Sequence, residues 1–275
     1  MASRFFSTST VRQVGVAVAA ATLAIFGGSL SAREAIAQVG LNPMVIQSEV
    51  SRGQAQSVIA VTNPTGEPMR VRMYAEPFTY DQVNGFVLLD EDSQDLTPYL
   101  QFSPREFVIP PNEVQRVRVV GLLPPSLEES EYRAVIFTES LPESAPAGSS
   151  VAGIQTRIGS TVYFRQPSSE PMFSVVQAQW NTEDAQAQLL LSNVGEATAR
   201  PNAQWEIRRG GEVIASGQSG ATTVIEGRDR LVPLPYLNKE EASLSPGNYE
   251  VVGELVWRFG EQQSSQSFSV PLIVR

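Results

Sequence analysis

The chain of 275 residues contains no cysteine and no histidine, and Lys239 is its only lysine. Each absence removes chemistry. Without Cys there is no disulfide framework. Without Cys and His there is no Ser-His-Asp or Cys-His nucleophile, no Cys/His zinc site and no His-ligated haem. A single lysine nearly empties the Ser-Lys option. Paired carboxylates, a Tyr-based site or a carboxylate-held metal remain, and no short motif brings an acid and a base together. The chain is also poor in positive charge, with a formal net charge of −9 and 18% charged residues. It lacks the basic stripe with which nucleic-acid binders neutralise phosphates. The acidic runs Asp90-Glu91-Asp92 and Glu128-Glu129 read as solvated loop faces rather than a calcium site. No catalytic residue, metal or cofactor is expected.

Long apolar runs are missing too, apart from the 17 uncharged residues 14–30. Arg4 and Arg12 precede that run, and Ala35-Ile36-Ala37 supplies small residues before Gln38. This is the layout of a secretory signal peptide over 1–37. A retained anchor is the rival, because 17 residues is the lower edge of a spanning helix. Gly27, Gly28 and the A-x-A ending favour cleavage. Removing 1–37 takes away three Arg and one Glu and leaves 238 residues at a net charge of −11, with no later run able to span a bilayer. A secreted chain without disulfides must be held by ordinary cores, and this length suffices for two domains.

What is present is period two. The runs 57–61, 69–74, 113–120, 132–138, 153–164, 186–191, 202–207, 249–259 and 267–274 are rich in β-branched or aromatic residues. Turn signals separate them: Asn63-Pro64-Thr65-Gly66, Pro110-Pro111-Asn112, Arg209-Gly210-Gly211 and Ser245-Pro246-Gly247-Asn248. No sustained apolar stripe at helical spacing occurs in the mature chain. The pattern predicts an all-β protein, and the proline-bracketed stretch 165–171 predicts a linker. The expected domains are 38–166 and 167–275. The halves echo one another. Val61-Thr62-Asn63 with Gly66-Glu67 matches Leu191-Ser192-Asn193 with Gly195-Glu196, and Tyr132 and Tyr249 each open a late strand at a corner-Tyr position. Two tandem immunoglobulin-like sandwiches are therefore expected. Trp180, Trp205 and Trp257 lie in strand-like runs and read as core.

Four pieces in order carry a family resemblance. They are the strand Ser57-Val58-Ile59-Ala60-Val61-Thr62-Asn63; Phe102-Ser103-Pro104-Arg105-Glu106-Phe107-Val108-Ile109-Pro110-Pro111 with the following Gln115-Arg116-Val117-Arg118-Val119; Tyr132-Arg133-Ala134-Val135-Ile136-Phe137-Thr138-Glu139-Ser140-Leu141-Pro142; and Ile154-Gln155-Thr156-Arg157-Ile158 running to Tyr163-Phe164-Arg165. Together they resemble the PapD-like periplasmic pilus chaperones over most of 40–167, while the second half matches only as a diffuse immunoglobulin-like domain. The resemblance implies two sandwiches set at an angle and a role in folding and delivery rather than catalysis. It implies secreted pilus-type subunits as partners, bound by donating the last strand of the first domain, and an outer-membrane usher as the destination. A second copy capping that strand as a dimer is a further implied state.

On this resemblance the donor strand falls at 150–165. Ala152 and Ile154 are the residues aimed at a subunit, and Ile158 is carried both as a contact and, with Val162 and Phe164, as core. The resemblance implies two cations holding a subunit's carboxylate. Their positions fall here on Met44 and Thr161, which leaves Arg157 as the substitute. Arg165 matches a residue bracing the domain junction. The cysteine-free segment 138–151 resembles the family's short-loop branch. The missing cations keep a second function open, a structural or adhesive envelope protein with this fold and no chaperone activity.

Overall fold

A computed structural model describes residues 39–126, 128–141, 155–235 and 244–275. The expected leader over 1–37 and the donor-strand residues Ala152 and Ile154 lie outside them. The described residues form eighteen strands and one helical turn, Thr97–Tyr99.

Alternation builds the first core. The strand β3 (Gln54–Thr62) buries Ala55, Ile59 and Val61, β4 (Met69–Glu76) buries Met69, Val71 and Met73, and β9 (Val114–Leu122) buries Val117 and Val119. One sheet runs β1 (Gly40–Asn42), β3, β9, β7 (Leu100–Ser103). The other runs β2 (Val45–Glu49), β11 (Arg157–Arg165), β10 (Glu131–Leu141), β4, β8 (Glu106–Ile109). Ile59, Val119, Ile136, Val162 and Phe164 meet in one cluster between these sheets. Each such side chain contributes about 1.5–3 kcal/mol by leaving water.

The second sandwich repeats the plan over 173–274. A sheet of β12 (Phe173–Asn181), β13 (Gln186–Asn193) and β16 (Asp229–Pro233) packs on one of β15 (Glu212–Gln218), β14 (Asn202–Arg209), β17 (Gly247–Phe259) and β18 (Gln262–Val274). Leu189, Leu191, Trp205, Ile207 and Val251 are central, with Trp180 and Trp257 packed at the margin. Trp205 is a core residue, as expected, and Trp180 and Trp257 are partly buried against that core.

The echo between the halves has a common physical basis. Asn63 is fully buried, and its amide donates to the carbonyls of Glu67 at 2.7 Å and Ile109 at 3.1 Å. Asn193 is also fully buried and donates to Ala197 at 2.8 Å and Val224 at 3.1 Å. In both, Oδ1 accepts the N–H two residues on. These side chains satisfy turn backbone that would otherwise be buried unpaired. The Tyr249 hydroxyl donates to the Ser245 carbonyl at 2.8 Å, and the Tyr132 hydroxyl accepts the Glu129 N–H at 3.2 Å.

One strand departs from alternation. β10 is buried on both faces over Glu131–Phe137. Tyr132, Ala134 and Ile136 enter the core, while Val135 and Phe137 join Phe78 and Tyr163 in a separate aromatic cluster on the outer face. A hairpin of β5 (Phe78–Asp81) and β6 (Gly85–Leu88), which the sequence reading did not anticipate, supplies Phe78, Tyr80 and Leu88 to that cluster.

Close packing gives a direct check. A Cβ on Gly121 would lie 2.3 Å from the fully buried Phe164 ring, whereas one on Gly66 would meet nothing within 4 Å. Gly121→Ala is expected to lower the free energy of unfolding by about 1–3 kcal/mol, and Gly66→Ala to leave it within about 0.5 kcal/mol, both read by urea denaturation.

Candidate functional site

The first strand changes sheets. β1 pairs with β3, and after Pro43 and Met44 the chain resumes as β2, which pairs in parallel with β11 from Val45↔Thr161 to Glu49↔Arg165. β10 pairs with β11 along its full length, from Glu131↔Arg165 to Glu139↔Arg157. Residues 157–160 therefore have β10 on one side and, among the described residues, no strand on the other.

The register says which backbone groups face that open side. Ser140 N–H donates to the Thr156 carbonyl at 2.9 Å, and Thr161 N–H donates to the Met44 carbonyl at 3.0 Å. Bonding direction alternates along an antiparallel strand. Even-numbered residues of β11 thus bond to β10, and the N–H and C=O groups of Arg157 and Gly159 are aimed outward, where an added strand could pair.

The structure brings Met44, Arg157, Ile158 and Thr161 to this edge. Met44 is 49% exposed at the sheet change. Thr161 is buried in the ladder between Val45 and Val135. Ile158 packs partly buried against the first core. Arg157 is exposed, with its guanidinium 4.0 Å from the centre of the Phe137 ring and Nη1 donating to the Tyr74 hydroxyl at 3.3 Å. Its cross-strand neighbour Glu139 pairs with Arg72 at 2.5 Å, and Arg72 in turn lies over Tyr74. The aromatic floor supports cations by the ring quadrupole and continues outward to Phe86, stacked on Phe78 and 39% exposed.

The other end of β11 lies at the junction of the sandwiches. Arg165 pairs with Glu49 at 2.9 Å and covers the Phe259 ring of the second sandwich at 4.2 Å. Arg230 of the second sandwich donates to the Asp81 carbonyl, and Leu231 N–H donates to the Gln82 carbonyl at 3.0 Å, tying the β5–β6 hairpin across. Arg133 is fully buried and donates to the Phe78 carbonyl at 3.0 Å, to Gln94 Oε1 and to Asp92 Oδ2. Gln94 Nε2 then reaches Glu226 Oε2 at 2.9 Å, and Glu226 Oε1 accepts from the Ser130 hydroxyl. Pairing and hydrogen bonds of this kind offset the desolvation cost of a buried cation.

Two carboxyls here sit above the ordinary range. Burial pushes Glu131 up to about 7, with the Glu226 charge adding to it and Thr198 and Arg133 opposing. Burial also raises Glu226, against the hydrogen bond from Ser130. The sequence reading missed Arg133, Glu131 and the second-sandwich residues facing them. One signal was available: an Arg inside the apolar run Tyr132 to Phe137, where both faces of a strand must be covered. Glu131 carried none, because its burial depends on a second domain some 70 residues further along.

No protein-family model matches the sequence, and no curated protein sequence matches it. Among solved structures the chain is similar to the class 5 fimbriae chaperone CfaA, with a TM-score of 0.51 and 10% identity over 84% of this chain and 98% of that one. It is similar also to the YadV chaperone, with a TM-score of 0.50 and 10% identity over 85% of this chain and 99% of that one. At this identity the likeness is one of architecture: the protein has the two-domain β-sandwich fold of the chaperone-usher chaperones.

Proposed function

We propose that the protein is a periplasmic chaperone that binds secreted pilus-type subunits by adding an edge strand and hands them to an outer-membrane usher. The observation that carries this reading is the half-flanked last strand of the first sandwich, where Arg157 and Gly159 turn backbone donors and acceptors to a side that no strand among the described residues covers. The fold shared with fimbrial chaperones supports it, and the leader-like residues 1–37 fit export. Affinity comes from main-chain hydrogen bonds and selectivity from alternate side chains. Ala152 and Ile154 share the parity of Ile158 in the sequence. No covalent bond is made or broken. With Met44 and Thr161 uncharged, a client carboxylate at this edge falls to Arg157, held in place by Phe137 and Tyr74.

A second reading has one observation in its favour. The buried Thr161 and apolar Met44 provide no cation at this edge, which suits an envelope protein that keeps the fold without a client.

Co-expression with a small secreted β-sandwich subunit, followed by affinity purification, tests the proposal. Arg157→Pro removes an outward N–H and leaves the bonds to β10 in place. It is expected to abolish the complex while the thermal midpoint stays close to wild type. Arg157→Ala keeps the backbone and is expected to weaken binding by about 2–5 kcal/mol, the cost of leaving a charge unpaired. A wild-type protein that captures no subunit, or a complex indifferent to Arg157→Pro, overturns strand addition. Binding unchanged in Arg157→Ala overturns the carboxylate role alone.

A further inference from the structure

We propose that the junction between the two sandwiches is a proton-operated latch, closed while the Glu131 carboxyl is protonated and loosened when it ionises. Glu131 opens β10 and is fully buried facing the second sandwich. Its Oε2 accepts the Thr198 N–H at 3.0 Å, and its Oε1 is buried without a partner of hydrogen-bonding geometry. The Thr198 carbonyl accepts from Gln47 Nε2 at 3.0 Å. Two strands of the first sandwich, β2 and β10, thus grip one residue of the second.

Among the described residues, the cations around Glu131 are each engaged with other groups. Arg133 is committed to Asp92, Gln94 and the Phe78 carbonyl. Arg165, directly across the ladder, pairs with Glu49 and covers Phe259. Arg200, from the second sandwich, lies over the Tyr163 ring at 5.2 Å. Glu226 is a like charge on the second sandwich, and the Tyr163 hydroxyl is kept neutral by burial. Arg165 Nε and Arg200 Nη2 are buried with no acceptor. An ionised Glu131 would draw on these two, and drawing either takes it off Phe259 or Tyr163, contacts that join the sandwiches.

The sign follows from the two protonation equilibria. The carboxyl has an ordinary value of 4.5 and is raised to about 7 in the closed junction, mainly by burial. Opening to water returns it toward the ordinary value. The closed state is fully favoured below 4.5, loses ground as pH rises, and loses no more above about 7. Within that window the closed-to-open ratio falls by about tenfold per pH unit.

The test needs no client, so its failure and a failure of strand addition are separate results. Because the chain has no cysteine, Val114→Cys and Ile214→Cys, at exposed positions of the two sandwiches, take spin labels specifically. The inter-label distance distribution is expected to broaden as pH rises toward about 7 and then to level off. Glu131→Gln in the same labelled chain is expected to stay narrow throughout. Glu226→Gln, lacking the like charge, is expected to level off at lower pH. A wild-type distribution indifferent to pH, or a Glu131→Gln protein that broadens as wild type does, overturns the latch. Should Glu131→Gln fail to fold, an unshifted Glu226→Gln profile overturns it.

Discussion

Nine residue pairs, Glu131↔Arg165 through Glu139↔Arg157, zip β10 to β11, and the two features of interest lie at the two ends of that ladder. At one end Arg165 and Glu131 meet the second sandwich; at the other Arg157 and Gly159 turn backbone toward a side that no strand among the described residues flanks. A side-chain period of two means that a one-residue slip would exchange the faces of β11. Phe164 would leave the core, and Tyr163, with the arginine above it, would enter it. The core sets that register, and the register in turn places the junction cations and the open edge.

Both faces of this ladder are spoken for, in different ways. Its inner face is hydrocarbon, packed between sheets. Its outer face is a run of rings and charges, and arginines on it and at the junction rest on aromatics: exposed Arg157 on Phe137, buried Arg165 on Phe259, and half-buried Arg200 and Arg230 on Tyr163 and Tyr80. With one lysine in the chain, these contacts fall to the planar guanidinium, which stacks and forks in ways an ammonium cannot. The arginine-for-lysine bias in composition thus has a place in three dimensions.

The parts legible in the sequence were those whose cause is local. Alternation along 57–61, 113–120 and 202–207, the Asn63 and Asn193 turns and the corner tyrosines all follow from neighbours in the chain. The strands left unread lack that signature. β12 breaks its alternation at a bulge between Val175 and Gln177, β15 buries no residue fully, with only Ala215 and Gly217 half-buried, and the β5–β6 hairpin owes its burial to a sheet face it covers from outside. At the candidate site, Arg157 and Arg165 were readable because each stands on a recognisable strand. Glu131, Thr198 and Glu226 were not, since their meaning arises only when two domains close on them.

The passage of the first strand from one sheet to the other, at Pro43 and Met44, acts as a ruler. β2 begins to flank β11 only at Val45↔Thr161, and before that point no strand among the described residues covers this edge of β11. At about 3.3 Å per residue, crossing two residues later would bare one further outward pair of backbone groups, and crossing two residues earlier would cover one. How much of the outer edge of β11 stays unflanked by the described residues is therefore written in the first strand, some 115 residues ahead of it.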